Sequence, residues 1–433
     1  MFLSWPMVFA NLFQNGLSMF EIYLVGNLGV SALAAFAIGG TVLVFFWTFQ
    51  GGAVTGCVAT ASRLNGEKNY EKLNRSIINM LLFGLLCGVS YAVMIFMFMK
   101  PVIIFFGGKG ETYALAKEYI TVLLPAIIAL SVTFIFIGIL RGVGDSRTPL
   151  KIVSLMVVVN IIAAPLLVLG PGPLPALGIK GAAFATLISF FSGCAAGFII
   201  FIRGIHKLRL EPGNLKIDPE IIDRFTRITV PAMGQGLAMN VGNVMLLKMV
   251  SLYGDPAIAA FGIWQKLIFV VMMLGWPIGN SGGVIVGYHI GINIKHRIKE
   301  TVKTGVASYL WITVIFFIVF FFFAEPVMRI FTDNMEVVRH GTVFLKVITP
   351  TFVIMGSALI VHGAFNGAGS THIPTIINFI SFIFLQLGLA FILIEFTELG
   401  VAGIPAAIAS AFTLQGALTF LAYKKGRWIK EKI

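Results

Sequence analysis

ILRGVGDSRTP (residues 139–149) and AFNGAGSTHIP (364–374) are one turn written twice. Each leaves an apolar run, crosses two glycines two positions apart, and enters the next apolar run at a proline, Pro149 or Pro374. The distance between the two copies, 225 residues, recurs along the chain. Pro6 pairs with Pro231, Gly29 with Gly254, Pro101 with Pro326 and Pro125 with Pro350, and VSALAAFAIGG (30–40) falls on DPAIAAFGIWQ (255–265). So many prolines and glycines in one ungapped register point to a duplicated ancestor. Within the turn, Gly142 and Gly144 suit a left-handed helix end, Asp145 or Thr148 suits the cap of the next helix, and Pro149 suits its first turn.

The runs on either side of that turn define the class. Of 433 residues, 58% are hydrophobic and 11% charged, 40 are Phe, and the mean hydropathy is +0.96. A soluble domain carries roughly a quarter charged residues, so the chain reads as an integral membrane protein. Apolar runs of about 20 residues, enough for a helix to cross a bilayer, occur twelve times: 5–27, 33–58, 77–99, 119–140, 150–170, 181–202, 229–251, 257–287, 303–323, 343–363, 374–395 and 400–422. The expected fold is an all-α membrane protein, twelve transmembrane helices in two six-helix lobes. A cleavable signal peptide is not expected, because the first run has no basic residue before it and no polar break with small residues after it.

Basic residues orient the bundle. Arg63, Lys68, Lys72 and Arg75 follow span 2, Arg141, Arg147 and Lys151 flank the turn after span 4, and six more lie between Arg203 and Arg227. Lys295, Arg297, Lys299 and Lys303 follow span 8, and five more lie from Lys424 to Lys432. These are 22 of the 31 Lys and Arg, all on one face, which the positive-inside rule makes cytoplasmic. The expectation is a multi-pass protein of the inner (plasma) membrane with both termini inside. Six spans per copy insert both copies the same way round, as parallel repeats about an axis along the membrane normal, an arrangement that suits alternating access. Residues 1–202 form the N-lobe, 203–228 a polar cytoplasmic linker containing EPGNLKIDPE, and 229–433 the C-lobe with a basic tail.

Several functions are excluded. The net charge of +13 sits in short loops rather than in a nucleic-acid-binding patch. No G-x-x-x-x-G-K-[ST] phosphate loop occurs, and GGKGET (107–112) has the wrong spacing. Cys57, Cys87 and Cys194 are isolated within apolar runs, where packing explains them. No cluster of His, Asp or Cys in one layer suggests an enzyme or a metal site, so no cofactor is expected.

Sorting the 18 Asp and Glu one by one leaves a single carboxylate within a span, Glu21 in NGLSMFEIYLVGNLG (15–29). The remainder fall in connections, at helix ends or in the tail. A carboxylate costs roughly 2.5 kcal/mol or more at a helix centre, though less for Glu21, which lies in the outer third of its span. In a cavity it is poised to exchange a proton or a small cation against a substrate.

At these residues the chain resembles the multidrug and toxic compound extrusion (MATE) transporters, and the resemblance runs its whole length. It rests on P-x7-Q from Pro6 to Gln14, VGNLGVSALAA (25–35), RGVGDSRTP (141–149), GIKGAAFATLIS (178–189) and Pro231, taken in order with the repeat. It implies a two-lobed antiporter that expels organic compounds, drugs or toxic metabolites, using a proton or sodium gradient. Such transporters usually carry Asp where this chain has Glu21, grouped with polar residues of spans 5 and 6. Asn160 matches the asparagine and Thr186 the threonine, whereas the second carboxylate expected four residues after the asparagine is Ala164. Losing that ligand favours H+ over Na+ as the coupling ion, because hard cations want several oxygens. Gln14, two turns before Glu21, fits the same lining. The chain begins almost at span 1, and the resemblance implies a cytoplasmic segment ahead of it that this sequence lacks.

Sodium-coupled members place acids in spans 7 and 10, and this chain has none there. Asn240, Asn243, Lys248, Gln265, Lys266 and His362 remain as polar candidates, with Met272 and Met273 as an adaptable surface. Of these, Asn240, Asn243, Lys266 and His362 are the cavity-lining residues expected. A cationic second lobe leaves room for anionic or zwitterionic substrates. The rival reading is a flippase for lipid-linked precursors of the same broader superfamily, which would carry extra spans and more intramembrane Arg and Lys than Lys248 and Lys266. The partners expected are a small organic substrate and the bilayer, with the chain acting as a monomer.

Overall fold

The computed structural model describes residues 3–170, 175–210 and 217–429, and among them it is all-helical apart from an isolated bridge between Ile205 and Leu208. Two compact units divide it, Phe2–Arg227 and Ile228–Ile433. The first contains α1 (Ser4–Gly26), α2 (Val30–Gly66), α3 (Tyr70–Met97), a short α4 (Met99–Phe105), α5 (Gly110–Gly142), α6 (Arg147–Leu169) and α7 (Ile179–Arg203). α5 is the hub, packed by α2, α3 and α7, and α1 lies against α6. The second follows the same plan with α8 (Pro219–Val250), α9 (Asp255–Gly291), α10 (Lys295–Phe322), a short α11 (Ala324–Arg329), α12 (Met335–Ile348), α13 (Phe352–Gly367), α14 (His372–Asn378), α15 (Leu387–Phe396) and α16 (Gly403–Lys425). Here α13 takes the hub position against α9, α10 and α16.

Among the described residues ten helical stretches are long and apolar enough to cross a membrane by length and composition, α12 with α13 and α14 with α15 counting as one each. The other two expected spans, 1 and 7, are occupied by α1 and α8, which carry Asn11, Gln14, Asn15, Glu21 and Gln235, Asn240, Asn243 within their apolar runs. The first helix of each copy is therefore its most polar span. α8 begins ten residues before the expected span, because the Asp218 carboxylate accepts from the backbone N–H groups of Glu220 and Ile221 and starts the helix at Pro219.

The repeat is written in the backbone. Gly144 and Gly369 have φ of +88° and +83°, and Gly29 and Gly254 have φ of +112° and +83°, conformations that only glycine adopts cheaply. Packing is conserved by exchange. In the first unit Gln50 of α2 donates to Ser131 of α5, which donates to the Gly84 carbonyl of α3. In the second, Gly275 and Gly356 stand at the places of Gln50 and Ser131, and Tyr309 at that of Gly84. A Cβ on either glycine would lie 2.7 or 2.3 Å from the Tyr309 ring. The bulk has moved from two helices to the third, and the Tyr309 hydroxyl donates to the Val271 carbonyl.

Elsewhere the copies differ. Pro125 is held inside continuous α5, whereas its partner Pro350 sits in a 3-10 turn, Thr349–Thr351, that separates α12 from α13. A proline within a helix removes one N–H donor and crowds the preceding turn, and a break is the alternative to a kink. The span read as 343–363 is thus two helices.

Candidate functional site

Glu21 lies on the last turns of α1, half-buried, where α1 meets α6. Asn160 of α6 is 1% exposed, and its Nδ2 donates to Glu21 Oε1 at 3.0 Å. The Thr186 hydroxyl of α7, 5% exposed, lies 3.4 Å from the same oxygen and 3.1 Å from the Ala182 carbonyl of its own helix. One hydroxyl proton serves only one of those acceptors at a time. Asn160 Oδ1 is buried with no hydrogen-bond partner among the described residues. The carboxylate therefore has donors for its ionised form, and the same Asn160 amide carries an acceptor that none of the described residues uses. Ala164, where the resemblance implies a second acid, is fully buried.

Tyr119 of α5 completes this cluster and was not among the residues expected. It is 1% exposed and lies within electrostatic reach of Thr186 and Glu21. It packs against Phe36, and a Cβ at Gly39 would stand 2.3 Å from its ring. A tyrosine at the start of an apolar run reads as interfacial bulk, so only the fold reveals it. Gln14 is half-buried on α1, seven residues before Glu21 and on the same side of the helix.

The second unit's candidates are not gathered in this way. Asn240 is half-buried on α8 and donates to the Gly236 carbonyl one turn back, and Asn243 is half-buried on the same helix. Lys248 of α8 and Lys266 of α9 are exposed. His362 of α13 is 6% exposed, with Nε2 2.8 Å from Thr419 Oγ1 of α16 and its ring beside Phe365. It joins two helices of the core. A chain of amides that the sequence did not reveal connects four others. Gln235 of α8 and Asn366 of α13 exchange hydrogen bonds at 3.0 and 3.3 Å, Asn378 of α14 donates to the Gln235 carbonyl, and Gln415 of α16 donates to Asn378 at 2.9 Å. Their separations in sequence, 131 and 143 residues for the pairs with Gln235, give no local signal.

On the cytoplasm-facing turn expected after span 4, Asp145 accepts from the backbone N–H groups of Arg147 and Thr148 and so caps α6, while His206 Nε2 lies 3.0 Å from its other oxygen. Ser370, at the matching place in the second copy, donates to the Trp428 carbonyl. In both units this turn is tied to the segment that follows the unit's last long helix.

Known proteins match this chain in sequence and in fold. The family model described as MatE matches twice, over residues 6–166 and 231–392, with starts 225 residues apart. A probable multidrug resistance protein of Bacillus subtilis (strain 168), YoeA, is 25% identical over 432 residues, covering 99% of this chain and 93% of its own. The probable multidrug resistance protein NorM of Thermotoga maritima is 26% identical over 437 residues, covering 100% of this chain and 93% of its own. The Vibrio cholerae MATE transporter VcmN, crystallised in a bent form, superposes with a TM-score of 0.89 at 20% identity, over 99% of this chain and 95% of that one, which shows a shared fold.

Proposed function

This chain belongs to the MatE family of transporters, and on that premise we propose that it exports organic compounds by alternating access, driven by protons moving inward through Glu21. The observation that carries the reading is the lone intramembrane carboxylate held by Asn160 and Thr186, with an unused acceptor at Asn160 Oδ1. Ionised Glu21 takes the Asn160 Nδ2 donor. Protonated Glu21 donates to Asn160 Oδ1, or to the Thr186 oxygen once that hydroxyl turns to the Ala182 carbonyl. Protonation thus fills an acceptor that the ionised state leaves idle, while ionisation takes up the Asn160 donor, so neither state is held without a partner for the carboxyl group itself. Sodium is disfavoured because Ala164 removes a ligand oxygen.

A gradient drives export only if proton and substrate favour different conformations, since a ligand shifts an equilibrium by its differential affinity. Each proton moving inward releases about 2.3 kcal/mol per 100 mV, enough for roughly fortyfold accumulation when fully coupled. The protein sits in the inner membrane with its basic loops and both termini on the cytoplasmic side. The test is counter-transport of a dye such as ethidium in proteoliposomes, with pH and sodium gradients imposed separately. A pH gradient alone is expected to drive it. Transport that needs sodium and ignores pH would overturn the proton reading.

A further inference from the structure

The helix that ends the second family match is not uniform. Between α14 and α15 the backbone is a π-helix, Phe379–Gln386, whereas its repeat partner α6 is α-helical from Arg147 to Leu169. A π turn houses one extra residue, and such turns are frequent at functional sites. The register agrees: Pro149 and Pro374 pair at 225, while the ends of the two matched stretches, 166 and 392, lie one residue further apart. The extra residue brings Gln386 to the place that Asn160 holds in the first unit.

Gln386 is 3% exposed and its amide makes no hydrogen bond among the described residues. Ser381 is fully buried and its Oγ is without a partner. In a π-helix residues five apart come close to one face, so Ser381 and Gln386 share one side of this turn. The neighbouring amides are engaged, Asn378 with Gln415 and Gln235 with Asn366. Across from the π turn stands Gly242 of α8, where a Cβ would lie 3.3 Å from the Phe382 carbonyl oxygen and 3.7 Å from Gln386 Nε2. That glycine lets α8 pack closely on the π turn beside the amide. Buried polar groups without partners are costly, and here a donor and acceptors are left available on one helical turn. No charge accompanies them, since Leu246, 1% exposed, stands where the repeat would place Glu21.

We propose that Gln386 and Ser381 form a substrate subsite in the second unit, which takes an uncharged hydrogen-bonding group, a hydroxyl, amide or amine, of the exported compound. The inference rests on the export reading above. A charged group is excluded from this position because it would lack a counter-ion in an apolar surround. The subsite selects among substrates by their polar groups, while the Glu21 cluster couples transport to the proton.

The experiment is equilibrium binding to the purified full chain of two fixed cations, ethidium, which carries two aryl amines, and tetraphenylphosphonium, which has no hydrogen-bonding group. Gln386→Met keeps the length of the side chain and removes the amide. It is expected to weaken ethidium about tenfold and leave tetraphenylphosphonium unchanged, the latter also showing that the variant is folded, and Gln386→Asn is expected to lose less. Equal losses for both probes, no loss for either, or a wild type that holds only tetraphenylphosphonium overturns the subsite and leaves the export reading standing. A wild type that binds neither probe removes the export reading and the subsite with it.

Discussion

Asn160 offers Glu21 a donor at 3.0 Å and carries an acceptor without a partner among the described residues, so on the proposed reading a single amide serves both protonation states. Replacing it with leucine removes both functions at similar volume. Hydrogen bonds to charged groups contribute about 1.5–3 kcal/mol, so Asn160→Leu is expected to slow gradient-driven export by about ten- to a hundredfold, read as dye efflux at equal protein level. An unchanged rate would exclude Asn160 from coupling. Outside the membrane, burial by itself raises the Asp145 pKa, but hydrogen bonds from Thr148 and His206 outweigh it and hold the carboxyl below its ordinary 3.8. A depressed carboxylate pKa stabilises the fold above the ordinary value, and that contribution fades as pH falls through the folded-state value. Asp145→Ala is therefore expected to lower the thermal midpoint at neutral pH through a cap worth about 0.5–2 kcal/mol. The gap to wild type should narrow on acidification from about pH 5 to about pH 3, and a gap that does not narrow would deny the carboxylate this role. Glu21 was legible in the sequence because a lone acid in an apolar run has no cheap structural excuse. Tyr119 was not, because a phenol suits packing and hydrogen bonding equally.

Among the elements, α9 and α13 meet backbone to backbone through glycines. A Cβ on Gly363 would lie 2.1 Å from the Gly279 carbonyl oxygen, and one on Gly367 2.0 Å from that of Gly283. Both helices thus present glycines four apart, the small-residue spacing that lets backbones touch within a membrane. Backbone cannot give way as a flexible side chain can, so Gly363→Ala is expected to destabilise by about 1–3 kcal/mol. Gly262, on the same α9 with nothing within 4 Å of a Cβ, serves as the control, and Gly262→Ala should be neutral or slightly stabilising. Thermal unfolding in detergent reads both, and equal midpoints for the two variants would contradict the packing argument. The twelve runs and the 225-residue register were plain in the sequence because lipid demands long apolar helices. The break at Pro350 and the π turn at Phe379–Gln386 were hidden. Proline permits either a kink or a break, and one added residue leaves composition and hydropathy unchanged.

For the molecule as a whole, the first helix of each copy is its most polar span, yet the two copies have diverged in what they carry. α1 presents Glu21 to Asn160 and Thr186, while α8 presents amides and leaves Leu246 at the matching place. Proton coupling in one copy and polar substrate recognition in the other is the division of labour we propose on this asymmetry. Orientation is testable by single cysteines at exposed positions, labelled in intact cells with a membrane-impermeant thiol reagent. Lys109→Cys, on the face poor in basic residues, is expected to react, and Lys299→Cys to react only after the membrane is opened. The reverse pattern would invert the topology. The most direct test of the central claim compares wild type with Glu21→Gln in proteoliposomes, measuring ethidium export under an imposed pH gradient alongside equilibrium ethidium binding. The amide keeps the size of the side chain and cannot titrate. Gradient-driven export should vanish while binding stays measurable, and Glu21→Asp should retain part of the activity. Export by the Gln variant at the wild-type rate under the same gradient would contradict the account.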